Sequence, residues 1–182
     1  MQVTGSSTLD LANLANKFLI KATTAGRYEM HERVKQFTKE KLLAQIEEDS
    51  EMGKELFRSF SQYFLALVAE KEGEFHGKSV KQVFEEVYID LDNIRQAWEL
   101  AVNYGNWDLI SRAVHSLSYF YHLASLSSEA EKILDNAINH LEAATWEEEE
   151  QAANISVLLG TLLVEQAFHM NQLALYKKSS DA

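Results

Sequence analysis

Few residues in this chain have the types and spacing for chemistry, and each has a competing structural use. His31-Glu32-x-x-Lys35 begins like the zinc-protease helix, where two histidines four apart hold the metal and the glutamate activates its water. Lysine occupies the second histidine position, so the motif is discounted. His115 and His122 lie seven apart and would share one helix face, but a metal needs a third ligand that no spacing supplies. Packing in a core or groove explains both. Glu85-Glu86 and the pair Asp90 and Asp92 have the carboxylates of acid–base work, yet nothing around them predicts a raised pKa. Helix capping accounts for the aspartates. The absence of cysteine excludes disulfides, thiolate zinc sites, iron–sulfur clusters and a cysteine nucleophile. No Gly-x4-Gly-Lys-Ser/Thr loop is present to wrap backbone amides around phosphates, so this chain alone should not hydrolyse ATP. No catalytic residue and no metal ligand is therefore expected. The remaining group is aromatic: Trp98, Tyr104, Trp107, Tyr119, Phe120 and Tyr121. Stacked helix pairs expose a concave face where aromatics anchor ligands, which makes Trp98, Trp107, Tyr119 and Tyr121 candidate partner contacts. Helical spacing within a core already explains Phe120 and Trp98.

Long helices must position these residues. The 182 residues include no proline and only 7 glycines, the two residues that punctuate strands and turns. The exception lies near the start, where Lys17-Phe18-Leu19-Ile20-Lys21 and Arg27-Tyr28-Glu29-Met30 flank Thr23-Thr24-Ala25-Gly26 and predict a β-hairpin. Leu9, Leu11 and Leu14 mark the end of a helix before it; Val34, Phe37, Leu42 and Ile46 form a helical stripe after it. From residue 50 onward the periodicity is helical. Leu56, Phe60, Tyr63, Phe64 and Leu67 predict the buried face of one helix, closed by Gly73 and Gly77. Val83, Phe84, Val87, Leu91, Ile94, Trp98 and Ala101 follow, with a break expected between Tyr88 and Asp92. Gly105-Asn106 offers a C′ glycine and an N-cap, opening a helix that carries Leu109, Ala113, Val114, Leu117, Phe120 and Tyr121. A short turn ends near Ser127. Ser128-x-x-Glu131 and Thr145-x-x-Glu148 have capping-box form and predict two more helix starts. The stripes they open are Ile133, Leu134, Ala137, Ile138 and Leu141, then Ile155, Leu158, Leu159, Leu162 and Leu163. Short connections of this kind favour antiparallel helix pairs.

Apolar residues make up 46% and charged residues 25%, which suits one compact domain or two small ones and excludes a disordered tail. Net charge is −11, a surface that repels a phosphate backbone. Residues 1–45 balance to +3 and residues 46–182 to −14, which predicts a partial domain at 1–48 and a helical region at 49–182. Glu147 to Glu150 form an acidic run suited to the solvated first turn of a helix, at the positive end of its dipole. No apolar run approaches the roughly 18 residues of a membrane span, and residues 1–8 lack signal-peptide features. A reduced cytoplasmic setting without membrane contact is the expectation.

The strongest internal signal is a repeat. Val114-x2-Leu117-Ser118-x2-Tyr121 followed by Ala130-x3-Leu134-x2-Ala137 has the spacing of a tetratricopeptide unit, which sets small side chains where its two helices touch. A second register puts Leu163, Ala167 and Met170 on a first helix and Ser179 at the small position of a next one. Gln166 replaces leucine in it, and no proline closes either unit.

Tyr28-Glu29-Met30-His31-Glu32-Arg33-Val34-Lys35-Gln36-Phe37, directly after the hairpin, resembles the end of the winged-helix subdomain in STAND-class signal-transduction ATPases of the NB-ARC type. Asp90-Leu91-Asp92-Asn93-Ile94-Arg95-Gln96-Ala97-Trp98 is similar to the segment introducing the helical repeats of bacterial transcriptional regulators in that class. Leu126-Ser127-Ser128-Glu129-Ala130-Glu131 fits the turn that follows. The resemblance runs from about Leu9 to Ala182 and implies a piece from the middle of such a protein. It implies ATP or ADP with magnesium in the parent protein and no cofactor in this chain. By position, His31 would take the role of the Met-His-Asp histidine that reads the β-phosphate of ADP, with Glu32 standing where the motif has aspartate. In the isolated chain His31 ends a strand and caps the next helix.

The expected fold is mainly α: antiparallel helix pairs in a tetratricopeptide-like superhelix after a small winged-helix remnant with one β-hairpin. The expected function is non-catalytic sensing and protein interaction within a larger nucleotide-switched, transcriptional regulatory ATPase. A protein or small-molecule inducer would bind the concave helical face, with the ATPase core in cis. Direct DNA binding is not expected, because the helices that would precede a recognition helix are absent and the overall charge is acidic. The alternative is a free-standing helical-repeat adaptor for a protein or peptide.

Overall fold

A computed structural model describes residues 5–23, 27–45, 51–75, 77, 80–145 and 149–180. The chain is mainly α-helical with a two-stranded antiparallel hairpin, and it divides into two compact units, Met1–Ser59 and Phe60–Ala182. The hairpin tip at 24–26, Ile46, the expected boundary at 48, and the acidic run and capping box around 146–148 lie outside the described residues. Among the described residues, no helix is long and apolar enough to cross a membrane.

In the first unit, α1 (Thr8–Asn16) opens on a capping box: Asp10 N–H donates to Ser7 Oγ at 3.2 Å and Ser7 N–H to Asp10 Oδ2 at 2.8 Å. Strand β1 (Ile20–Ala22) pairs with β2 (Tyr28–Met30) in the hairpin that the flanking runs predict, with Ile20 opposite Met30. Helix α2 (Glu32–Gln45) follows directly. Among the described hydrophobic side chains of residues 5–42, Ile20 alone is buried, while Leu9, Phe18, Phe37 and Leu42 are exposed. Of the described residues in the stripe expected on α2, Phe37 and Leu42 are exposed and Val34 is half-buried.

The second unit takes up the C-terminal part of α3 (Glu51–Ala69) and continues through α4 (Glu72–Phe75), α5 (Val80–Ile89), α6 (Leu91–Asn103), α7 (Trp107–Leu123), α8 (Ser127–Ala143) and α9 (Glu149–Ser180). Helix α7 packs against α4, α6, α8 and α9, and its Leu109, Ile110, Ala113, Leu117 and Phe120 are buried in the core. Phe84 of α5 stacks on Phe120 at 5.2 Å between centroids, and Phe75 of α4 lies 6.5 Å from the same ring. All seven repeat positions, Val114, Leu117, Ser118, Tyr121, Ala130, Leu134 and Ala137, are buried.

The expected helix phases need four corrections. The buried residues of α3 in this unit are Ser61, Leu65 and Val68, one position round from the predicted stripe; Phe60, Phe64 and Leu67 pack at its edge and Tyr63 is exposed. Gly73 does not close α3 but lies inside α4, whose Phe75 joins the core. Helix α8 starts at Ser127 without a side-chain cap, so the Ser128 capping box does not form. The second repeat register is also out of phase: α9 buries Leu158, Leu162, Glu165 and His169, leaving Leu163, Ala167 and Met170 exposed. Ser179 continues α9 instead of starting another helix.

Helices α6 and α7 are joined by Tyr104-Gly105-Asn106. Asn106 N–H reaches Ala101 O at 2.8 Å and Gly105 N–H reaches Val102 O at 3.1 Å, with Gly105 at φ 65. Asn106 takes the N-cap position without a side-chain capping bond. Ala124-Ser125-Leu126 repeats the pattern between α7 and α8, with Leu126 N–H to Tyr121 O at 2.9 Å and Ser125 N–H to His122 O at 3.0 Å. Both are Schellman turns, which satisfy the last carbonyls of a helix by placing one residue in the left-handed region. At the second turn that residue is Ser125, with φ 57. A left-handed residue with a Cβ costs roughly 1–2 kcal/mol, less the entropy that glycine loses on folding. Ser125→Gly is therefore expected to raise stability by about 0.5–1 kcal/mol, read as a higher urea midpoint at unchanged slope. A lower midpoint would mean that the serine hydroxyl contributes more than the strain removes.

Candidate functional site

Between β2 and α2 lies His31. Its carbonyl accepts from Val34 N–H and Lys35 N–H at 2.8 and 3.0 Å, and its Nδ1 accepts from Arg33 N–H at 3.3 Å. The imidazole is thus exposed and caps α2, the structural role that the sequence gives it in the isolated chain.

The aromatic candidates separate by burial. Trp98 and Tyr121 are only 2% and 1% exposed and belong to the core, so they do not present a partner surface as expected. The physical reason is phase: Trp98 sits four residues after Ile94 and three before Ala101, inside the buried stripe of α6. Its Nε1–H donates across to the Ile133 carbonyl of α8 at 3.3 Å. The Tyr121 hydroxyl donates to Glu129 Oε1 at 3.0 Å. Burial, then the nearby Glu129 charge, pushes the Tyr121 phenol above its ordinary range. Arg95 closes this polar group with two bonds to Glu129, Nε to Oε1 at 2.5 Å and Nη2 to Oε2 at 2.6 Å, and a third to Asp92 at 2.8 Å. Burial raises the Glu129 carboxyl, but the Arg95 and Tyr121 bonds more than offset it and hold it below the usual range. Trp107 and Tyr119 are half-buried against the same core, with Tyr119 5.9 Å from the Phe75 ring.

The carboxylate pairs are also structural. Glu86 meets Lys71 at 2.9 Å, which lowers its carboxyl pKa, and Glu85 lies 3.9 Å from Lys81. Asp90 Oδ1 accepts from Asn93 Nδ2 at 3.0 Å in the turn before α6.

A polar cluster between α7 and α9 brings together residues that the sequence leaves apart. Ser118 Oγ donates to Glu165 Oε2 at 2.5 Å and lies 2.9 Å from His169 Nε2. His115 Nδ1 is 2.6 Å from Glu165 Oε1, and His122 places its ring 5.0 Å from Phe168. The two histidines do share the α9 side of their helix, but with different partners. Because the Ser118 proton goes to Glu165, His169 must carry its proton on Nε2 and donate to Ser118. Its buried Nδ1 then has no hydrogen-bond partner among the described residues. Burial, opposed by the Glu165 charge, lowers the His169 pKa and keeps the ring neutral.

Serine, histidine and carboxylate within reach suggest nucleophilic catalysis, but the order differs. A triad needs the histidine between serine and acid, whereas here the buried serine lies between the other two and its proton is held by the carboxylate. The arrangement is an interhelical clasp. Its only sequence signal is Glu165 and His169, four apart in a segment from 151 to 176 with no other Asp, Glu, Lys or Arg. Among the described residues, no group of three or more His, Asp or Glu is placed to hold a metal ion.

The candidate ligand site is a cleft of about 320 Å³ between α3 and α7. Leu65, Ala66, Ala69 and Leu109 give it an apolar lining, with Glu70 and Arg112 as its charged members. This volume is at the small end of the range for small-molecule sites. No family model, curated protein or solved structure matches the chain.

Proposed function

We propose that this chain is the non-catalytic sensing and protein-interaction region of a larger nucleotide-switched regulatory ATPase, a cytoplasmic regulator of the STAND type that controls transcription. The observation that carries the reading is the α7–α8 pair, which buries every residue set at repeat spacing. Two further features support it. The first unit leaves Leu9, Phe18 and Phe37 exposed, as a subdomain that docks on an ATPase core would. The His31 imidazole is exposed at the start of α2, where its Nδ1 caps the helix and its other ring nitrogen would meet a nucleotide supplied by that core in cis. The α3–α7 cleft then takes a small inducer, replacing the expected site built on Trp98 and Tyr121.

The reading requires a P-loop encoded upstream in the same reading frame and further repeats downstream. In that parent protein His31→Ala should weaken ADP binding about tenfold, the loss of one charge-assisted hydrogen bond, measured by calorimetry with magnesium present. Unchanged ADP affinity, or stop codons on both sides of the segment, would overturn it. The net charge of −14 on residues 46–182 favours a second reading, an adaptor for a basic peptide. A peptide displaced by salt, with no melting shift from small molecules, would select the adaptor.

A further inference from the structure

Helix α7 packs closely on α4, α6, α8 and α9, but α3 stands off from it, and the cleft of about 320 Å³ lies in the space between the two. All six of its lining residues belong to the second unit. Side-chain size explains the gap. Ala66, Ala69 and Glu70 share one side of α3 at helical spacing, and the two alanines leave open a space that larger side chains would close, whereas protein interiors rarely keep voids larger than a water. Leu65 and Leu109 are 1% and 3% exposed and form the floor; Glu70 and Arg112 are exposed and stand at the mouth.

The two charges at the mouth are not equivalent. The Arg112 guanidinium is turned back along its own helix, with Nε donating to the Asp108 carbonyl at 3.2 Å and Nη2 to Asp108 Oδ2 at 3.4 Å. Among the described residues the Glu70 carboxylate has no ion pair and no hydrogen bond, Arg112 included. The cleft therefore presents one uncompensated negative charge beside an apolar floor, in a region whose net charge of −14 draws cations toward it. We propose that its ligand is a small amphiphilic cation: an ammonium group held by Glu70, on a compact aryl or branched-alkyl body that fills the space beside Ala66 and Ala69. An apolar cavity of about 150 Å³ holds benzene, so this cleft takes a phenyl ring with a short arm. At the open mouth the ammonium keeps part of its hydration, which limits the desolvation cost of the pair, whereas an anion would face both Glu70 and Asp108. The inference rests on the reading of this cleft as an inducer site and adds the charge and shape of what it takes.

Three probes of one shape test it on the intact chain: 2-phenylethylammonium, neutral 2-phenylethanol and anionic 3-phenylpropionate, each titrated at about pH 7, where the amine stays protonated. Binding is followed by nuclear magnetic resonance at the backbone amides of Ala66, Ala69 and Leu109. The ammonium should bind with a dissociation constant of about 1 mM, the alcohol about fivefold more weakly and the carboxylate at least about tenfold more weakly. Salt at about 0.5 M should narrow the difference between amine and alcohol. Glu70→Gln, at an exposed position without a partner among the described residues, should keep the parent's melting temperature and reduce the amine to the affinity of the alcohol. Ala69→Leu, which fills the cleft, should abolish binding of both while circular dichroism shows an unchanged helix content. An alcohol that binds as tightly as the amine, or an amine unaffected by Glu70→Gln, would overturn the cationic class and leave the cleft standing as an inducer site. If none of the three probes shifts these amides at about 10 mM, the class and the inducer site fall together.

Discussion

Trp98→Ala is expected to remove about 3–5 kcal/mol from the stability of the helical unit, the usual cost of emptying a buried tryptophan site. Domains of this size are stable by only about 5–15 kcal/mol, so the variant should be marginal or unfolded at 37 °C. The loss has two separable parts. Trp98 fills space between α6 and α8, and its indole N–H ties it to the Ile133 carbonyl. Trp98→Phe keeps most of the packing and gives up the hydrogen bond, so a loss of about 1–2 kcal/mol is expected. Urea unfolding followed by circular dichroism distinguishes these values. A loss below about 1 kcal/mol for the alanine variant would contradict the burial assigned to this ring.

The second large effect belongs to the α7–α9 clasp. Glu165→Ala should cost about 2–4 kcal/mol, because it leaves the buried Ser118 hydroxyl without its acceptor and opens a cavity. Combining Ser118→Ala and Glu165→Leu with His169→Leu replaces the cluster by apolar groups and should recover most of that loss, whereas the first two changes without the third leave the buried His169 Nε2–H unpaired. The clasp also sets a pH response. The pKa of His169 is lowered in the folded chain, so the unfolded chain binds a proton more readily. Stability is then fully present above the ordinary histidine range, near 6.5, and is lost as pH falls through that range toward the lower folded value. Glu129 acts at lower pH: its depressed carboxyl contributes stability above the ordinary glutamate range that disappears on further acidification. Melting curves of the parent and of His169→Gln between about pH 2 and 8 separate the two. The variant should lose the upper step and keep the lower one; an unchanged upper step would exclude His169 as its source.

What the sequence conveys depends on how local the cause is. The turn at 104–106, the break before α6 and the hairpin were legible because glycine, an N-cap position and alternating residues act within a few positions. The α7–α8 pair was legible because repeat spacing encodes contact between helices adjacent in the chain. Phase failed where apolar residues are abundant. On α9, the adjacent pairs Leu158-Leu159 and Leu162-Leu163 supply two overlapping stripes, and only the packing on α7 and α8 decides between them. On α3, the bulky Phe60, Tyr63 and Phe64 give the stronger apolar pattern, but Ser61, whose small side chain permits close approach, is the residue that is buried. The clasp could not be foreseen, because Ser118 and Glu165 are 47 residues apart and Ser118 already had a role as the small repeat residue. Trp98 and Tyr121 lie in the core and not on a partner surface for a related reason: aromatic residues anchor both cores and interfaces, and burial alone separates the two uses.

The two three-residue turns at 104–106 and 124–126 also bear on how fast the chain reaches its structure. They join helices that are neighbours in sequence and pack on one another, so α6, α7 and α8 close small loops at each step. Short loops give up little entropy before contacts form, and helical chains with such connectivity fold on microsecond to millisecond timescales. The clasp joins residues about 50 positions apart and α9 must dock to form it. Its formation is therefore expected to follow the α6–α8 hairpins, with Leu134 in the early nucleus and Leu162 joining after it.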